Sequence, residues 1–189
     1  MADKIDLKEM IQKFSDPYER KARLWPALLT LLPAIVLIST LYVSFASLAA
    51  NVASLAVSCG ALYLLANIAR EYGKRLEPKL FESWGGIPST QVLRHRNSHF
   101  GATIKAGFHS FLTSKLGVTF PDAAAELANP AQADDVYRSA VTWLLSQTRD
   151  RKVFALLYRE NISYGFRRNA LGLKPLGILI AFGSIVWVL

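Results

Sequence analysis

The chain has 189 residues, of which 52% are hydrophobic and 19% are charged, and its formal net charge is +8 at pH 7. This composition is too apolar for a disordered protein. A single cysteine, Cys59, excludes an intrachain disulfide and a cluster of thiolate metal ligands. The stretch from Leu24 to Ala69 contains no Asp, Glu, Lys or Arg. Because one membrane span needs only about 20 apolar residues, this stretch predicts two spans.

The N-terminal residues 1–23 mix basic and acidic groups and precede the apolar stretch. Apolar side chains recur there at the helical spacing i, i+3, i+4 and i+7. They are Leu7, Met10, Ile11 and Phe14. The pattern predicts an amphipathic helix on the cytoplasmic side, and the apolar run that follows is too long for a cleaved secretory signal.

Residues 24–69 are predicted to form a transmembrane helical hairpin with spans at about 25–45 and 48–69. Pro33 should bend the first span, because proline removes a backbone donor within a helix. Small side chains recur every fourth residue along the second half of the hairpin, which permits close approach of another helix. This packing strip consists of Ala46, Ala50, Ser54 and Ser58. It serves either packing within the hairpin or contact with another subunit.

Basic residues flank the hairpin, whereas the turn between its spans carries no charge. Lys21 and Arg23 precede the first span, and Arg70, Lys74 and Arg75 follow the second. By the positive-inside rule, both ends of the hairpin face the cytoplasm. The sequence therefore predicts a multi-pass protein with a cytoplasmic N-terminus.

Residues 70–174 show helical periodicity throughout and predict one helical cytoplasmic domain. The second span should continue to Trp84 and end at Gly85–Gly86. Gly117 should end another helix, because glycine readily adopts the left-handed conformation of a helix C-cap. Asn129–Pro130 should start a helix, with asparagine as the cap and proline in the first turn.

Three further expectations concern the same domain. Ser89 or Thr90 should cap a short helix. The stretch 123–132 is predicted to be a loop. An apolar stripe should mark an amphipathic helix, and it consists of Ile104, Phe108, Phe111 and Leu112.

Residues 175–189 are uncharged and predict a third transmembrane segment, entered again from a basic side. Fifteen residues of helix rise only about 22 Å, which is short of the roughly 30 Å hydrocarbon core. A helix that begins at Leu171, with Lys174 reaching to the interface, would just span it. So abrupt an apolar end suggests a longer chain from which a fourth span has been trimmed. The predicted fold class is thus an all-α membrane protein.

Two groups of basic residues are candidates for binding an anion: Arg94, His95 and Arg96, and further along the chain Arg167 and Arg168. Guanidinium groups bind phosphate through two parallel hydrogen bonds. If the two groups meet, they form a pocket for a phosphorylated small molecule. The alternative is an anchor in which basic side chains lie at anionic lipid headgroups.

No pattern indicates catalysis. His95 and His99 are four residues apart, but a metal site needs three or four ligands. The sequence contains neither a nucleophile elbow nor a phosphate-binding loop. We therefore expect no catalytic residue, no metal and no cofactor. A nucleic-acid partner is disfavoured, because the positive charge lies beside the apolar segments.

Two segments carry a resemblance: E-N-x-x-Y-G-F-R-R-N at Glu160–Asn169, and W-G-G-x-P-S-T at Trp84–Thr90. They resemble segments of uncharacterised bacterial inner-membrane proteins. The layout of two spans and a cytoplasmic domain is similar to that of small membrane effectors or sensors encoded beside anti-phage defence genes. The resemblance implies a bacterial host and assigns no role to any single residue.

The sequence thus predicts a non-enzymatic, oligomeric integral protein of the bacterial inner membrane. Its helical cytoplasmic domain would sense a cytoplasmic protein partner or a phosphorylated small molecule, and its spans would anchor it or perturb the bilayer. The alternative is a membrane-anchored enzyme or an accessory subunit of a larger transport complex.

Overall fold

The computed structural model describes residues 15–41 and 48–188, and it describes side chains at 15–39 and 59–188. Every secondary-structure element in these ranges is helical, as the sequence predicts. The first is a π-helical turn at Glu19–Leu24. The α-helices that follow are α1 (Trp25–Leu41), α2 (Leu48–Ser83), α3 (Pro88–Gln91), α4 (Ala102–Leu116), α5 (Ala123–Ala128), α6 (Pro130–Gln147) and α7 (Ala155–Val188).

The chain divides into two compact units. The first, which we call the helical bundle, comprises the described residues up to Pro78 together with those from Leu156 onward. The second, which we call the inserted domain, is Lys79–Ala155. Helices α2 and α7 are continuous across positions 69–70 and 174–175, where the sequence analysis placed domain boundaries.

In the helical bundle, the first helical segment and α7 run side by side in the same direction. Asn169 donates a hydrogen bond to the carbonyl of Ala22. Eight residues further along both helices, a methyl group of Thr30 lies 3.7 Å from where a Cβ on Gly177 would be. Because the contacting residue numbers increase together along both helices, the two helices are parallel.

Helix α2 runs antiparallel to α7 and crosses it at two glycines. A Cβ on Gly172 would lie 2.6 Å from the backbone N of Gly73, so neither position has room for a side chain. Four residues later on α2, Glu77 pairs with Arg168, which is four residues earlier on α7. The apolar core beside this crossing is rich in small side chains and consists of Ala27, Leu65, Ala66, Ala69 and Leu173.

A proline in the first helical segment accounts for its attachment to α7. Pro26 has no N–H, so the carbonyl of Ala22 lacks its α-helical donor, and the π-helical turn Glu19–Leu24 lies at this point. The fully buried Asn169 supplies the missing donor, with its Nδ2 2.7 Å from the Ala22 oxygen. The sequence predicts a missing donor at Pro33, but it does not indicate this attachment at Pro26.

Several predicted helix ends in the inserted domain are confirmed. Helix α2 ends at Ser83, and Gly85, Gly86 and Gly117 all have positive φ angles. The side chain of Asn129 caps α6 by accepting a hydrogen bond from the N–H of the third residue of that helix. Helices of this domain enclose an apolar core formed by Leu93, Leu112, Ala133, Tyr137, Ala140 and Val141.

Two local expectations are wrong. Helix α3 begins at Pro88 with Ile87 as its N-cap, so Ser89 and Thr90 lie inside it and cap nothing. Part of the predicted loop at 123–132 is helix α5. The carboxylate of Asp122 accepts a hydrogen bond from the N–H of the residue three positions on, and this cap together with an alanine-rich run stabilises a helix.

Some predictions fall outside what the structure describes. The amphipathic helix at residues 7–14 and Ala46 of the packing strip lie outside the described residues, as do the side chains of Ala50, Ser54 and Ser58.

Two of the described helices are long and apolar enough to cross a membrane, namely Glu19–Ser39 and Ala155–Val188. A core helix of a soluble protein, which is mostly buried, and a signal sequence near the N-terminus, as Glu19–Ser39 is, meet the same criteria. Here only 17% and 11% of the two most apolar windows are buried. The predicted third segment is therefore the end of one long helix that begins at Ala155.

The glycine crossing yields a stability prediction. A Gly172→Ala change places a methyl group against the backbone of α2, which cannot yield unless the helices separate, so we expect a loss of about 1–3 kcal/mol. Gly183→Ala on the same helix is the control, because no atom lies within 4 Å of its Cβ position and alanine favours helix. Thermal unfolding in detergent measures both variants. Equal melting temperatures for the two would contradict the close crossing.

Candidate functional site

The predicted basic group at 94–96 lies on the segment between α3 and α4, whose backbone carbonyls are bonded by side chains of α4. Nζ of the buried Lys105 lies 3.1, 2.9 and 2.6 Å from the carbonyl oxygens of Arg94, His95 and Asn97. His109 places Nε2 2.7 Å from another carbonyl in this segment, that of Leu93. Side chains of α4 thus supply hydrogen-bond donors to the carbonyls of this segment.

The apolar stripe of α4 is largely outside the core. Leu112 is buried, but Ile104, Phe108 and Phe111 are 51%, 37% and 52% exposed. The buried residues of the helix are Lys105, His109 and Leu112. Because Lys105 and His109 bond to carbonyls of the preceding segment, the buried face of α4 is partly polar.

Both arginines of the group are paired with carboxylates of the inserted domain. Arg94 holds Asp134 through two parallel contacts, Nε to Oδ1 at 2.7 Å and Nη2 to Oδ2 at 2.8 Å. Arg96 reaches the same carboxylate at 2.9 and 3.0 Å. It also contacts Oε1 of Glu126 at 3.0 Å. The loop is thereby fastened to both α5 and α6.

Glu126 is the buried centre of this network, with only 2% of its surface exposed. It accepts hydrogen bonds from the hydroxyl of Tyr137 and from the backbone N–H groups of His95 and Arg96. Burial alone would raise the pKa of Glu126, but these hydrogen bonds and the charge of Arg96 outweigh burial and lower it. Conversely, burial and the bond to Glu126 raise the pKa of Tyr137.

The network therefore acts first as a cross-link between loop and helices. An anionic ligand at Arg94 would have to replace Asp134, whereas Arg96 keeps 39% of its side chain exposed. His95 contributes to the same cross-link, since its Nε2 lies 3.0 Å from the carbonyl oxygen of Pro121.

Arg167 and Arg168 belong to the helical bundle, and their side chains have different surroundings, because adjacent residues of a helix do not face the same way. Arg168 is 9% exposed, and its Nη1 lies 2.6 Å from Oε1 of Glu77. The Tyr164 hydroxyl donates to the same oxygen at 3.0 Å. Arg168 also donates to Oδ1 of Asn169, so it joins α2 to the polar attachment at Ala22.

Arg167 instead lines a surface concavity of about 510 Å³ beside the π-helical turn. The concavity is lined by Lys21, Trp25, Ile162, Ser163, Phe166 and Arg167. Lys21 and Arg167 are exposed, and neither forms an ion pair with a carboxylate of the described residues. That Lys21 and Arg167 line the same concavity was not predicted from the sequence. The prediction that the first and third spans enter the membrane from the same side could have indicated it.

The two predicted basic groups thus lie in different units, Arg94–Arg96 in the inserted domain and Arg167–Arg168 in the bundle. A single anion pocket built from both groups stays a prediction. In the part of the chain that the structure describes, no three His, Cys, Asp or Glu side chains come together as metal ligands. No family model matches the chain, and neither characterised proteins nor solved structures include a match to it.

The ion-pair network predicts a contrast between neighbouring residues of α6. Asp134→Asn removes the carboxylate that Arg94 and Arg96 share, while Arg96 keeps its contact with Glu126, and we expect a loss of about 2 kcal/mol. This is less than for a fully buried pair, because 20% of the Asp134 side chain is exposed. Asp135→Asn is the matched control, since Asp135 is 72% exposed and pairs only within its own helix, where such pairs contribute little. Equal losses in thermal unfolding would mean that the network is not stabilising.

His109 predicts a dependence of stability on pH. Burial lowers the pKa of His109 below 6.5. The hydrogen bond to Leu93 opposes this shift, whereas His95 and the charge of Lys105 lower the pKa further. The folded state therefore favours neutral His109, and this stabilisation is complete above pH 6.5 and lost as the pH falls below it. His109→Gln should flatten the change between pH 7.5 and 5.5, as followed by Trp143 fluorescence during thermal unfolding. An unchanged slope would exclude His109 as its source.

Proposed function

We propose that the chain is a non-enzymatic integral protein of the bacterial inner membrane. Its spans anchor it, and its inserted domain binds a cytoplasmic partner. The observation that carries the proposal is the distribution of charge along three neighbouring helices. Because α1 and α7 are parallel and α2 is antiparallel, the basic residues that flank their apolar stretches fall at one end of the bundle. The residues nearest these stretches are Lys21, Arg23, Arg70, Lys74, Arg75, Arg167, Arg168 and Lys174.

The opposite end carries no such charge. Residues 24–69 contain no Asp, Glu, Lys or Arg, and neither do residues 175–189. One basic end and one apolar end are what the positive-inside rule requires of helices that enter from the cytoplasm. The exposed apolar surface of α1 and α7 supports the same proposal, because it would otherwise be exposed to water. The bacterial inner membrane in particular is inferred from the resemblance of the two motifs.

The partner-binding role is supported by α4, whose exposed face carries Ile104, Phe108 and Phe111 at helical spacing. Exposed apolar surface at this spacing is typical of faces that receive a partner helix. Lys115 lies over the ring of Phe111 at 5.8 Å, which leaves a basic edge beside the apolar face. A partner with an apolar and acidic helix face fits this surface.

We further propose a homo-oligomer, as expected from the packing strip. Light scattering of the detergent-solubilised protein gives the copy number directly. The mass of a single copy would remove this part of the proposal and leave the membrane anchor in place.

The topology can be tested with single cysteines in a Cys59→Ala background. Ser114 is exposed on α4, and a cysteine there should react with a membrane-impermeant reagent only after the cells are opened. A cysteine at Ser47, in the predicted external turn, should react in intact cells. Labelling of the Ser114 position in intact cells, or recovery of the protein in the soluble fraction, would overturn the proposal.

A further inference from the structure

We propose that the concavity lined by Lys21, Trp25 and Arg167 binds the phosphate group of an anionic phospholipid. The inference rests on the proposed membrane insertion and adds a defined ligand site to it. The site lies in the helical bundle, between the π-helical turn and α7. It is distinct from the ion pair of Arg168 with Glu77 on α2.

Among the residues that the structure describes, no carboxylate balances the charge of this concavity. Lys21 and Arg167 are both exposed at its wall, and no carboxylate is among the six lining residues. The adjacent Arg168 is neutralised by Glu77, and Arg23 is paired with Glu19. Two exposed cations without a carboxylate partner among residues 15–41 and 48–188 would attract a monoanion, and a guanidinium group can hold two phosphate oxygens at once.

Aromatic side chains in the same wall indicate which source of phosphate fits. Trp25 is 50% exposed, and Phe166 lines the concavity beside Arg167. Tryptophan is enriched at the headgroup level of membranes, where one side of the ring meets apolar chains and the other meets polar groups. A free phosphate ion would gain no apolar contact from this aromatic wall, whereas the glycerol backbone and the first acyl carbons of a lipid would contact it.

The surface beyond the concavity fits an acyl chain. A second, apolar concavity of about 390 Å³ lies further along α1 and α7, beside Pro33, Ala181 and Ile185. Ser163 and Ala181 are about five turns apart on α7, and so are Arg167 and Ile185, so that the two concavities lie on the same face of that helix. The basic residues lie near the first concavity, whereas residues 24–39 and 175–188, which run along the second, carry no charge. The arrangement matches the polarity of a phospholipid along its length.

The test is lipid retention by the full-length protein in detergent, counted by native mass spectrometry after exposure to phosphatidylglycerol or to phosphatidylcholine. The wild-type protein should retain phosphatidylglycerol in preference to the zwitterionic lipid. The double variant Lys21→Gln with Arg167→Gln should bind phosphatidylglycerol about 30-fold more weakly, as expected for two basic groups that contact one headgroup. The control variant, Arg149→Gln with Lys152→Gln, removes one arginine and one lysine from exposed positions of the inserted domain and should retain the lipid normally.

Two further arms identify the ligand and exclude misfolding. Arg167→Lys keeps the charge but loses the guanidinium fork, so it should retain lipid to an intermediate degree and unfold at the wild-type temperature. Inorganic phosphate, added as a competitor, should leave phosphatidylglycerol bound. Displacement by phosphate at millimolar concentration would overturn the assignment to a lipid in favour of a free anion.

The outcomes separate this inference from the proposed function. If the double variant still fractionates with membranes but retains lipid like the wild-type protein, the lipid site is wrong and the membrane anchor stands. Equal retention of the two lipids by the wild-type protein would have the same meaning. If the wild-type protein is recovered in the soluble fraction, both proposals fail.

Discussion

The helical bundle depends on the hydrogen bond from the Asn169 side chain to the carbonyl of Ala22. Pro26 leaves that carbonyl without its α-helical donor, and an unpaired carbonyl inside a protein or a bilayer is costly. A neighbouring helix must therefore supply the donor at this height. Asn169 does so, and it also accepts a hydrogen bond from Arg168, whose other contact is Glu77 on α2. The carbonyl that Pro26 leaves without a helical donor is thus the starting point of hydrogen bonds that join three helices.

The inserted domain obeys the same constraint with different residues. Several carbonyls of the loop between α3 and α4 accept hydrogen bonds from side chains of α4. Lys105 and His109 provide these bonds, and Glu126 accepts from the N–H groups of His95 and Arg96. Because these polar groups occupy the inner face of α4, its phenylalanines are left outside. The exposed apolar stripe that supports partner binding follows from the hydrogen bonds of the loop.

Sequence reasoning succeeded where the cause is local. Gly117 ends a helix and Asn129 starts one because each residue acts on backbone groups within four positions of itself. It failed where the cause lies far along the chain. Nothing near residue 105 indicates that a lysine should be buried, because the carbonyls that hold it belong to another segment. Likewise, Arg167 and Arg168 look equivalent in the sequence, and only the position of Glu77 on α2 distinguishes them.

Arg167 and Arg168 therefore have different surroundings at the basic end of the bundle. An arginine that is buried between helices must be paired, or its desolvation would destabilise the fold, and Arg168 is paired with Glu77. The carboxylate that Arg168 requires is then not available to its neighbour. Arg167 and Lys21 instead line a concavity beside Trp25, and no described carboxylate pairs with either of them. The proposed phosphate site therefore depends on the same ion pair of Arg168 with Glu77 that joins α7 to α2.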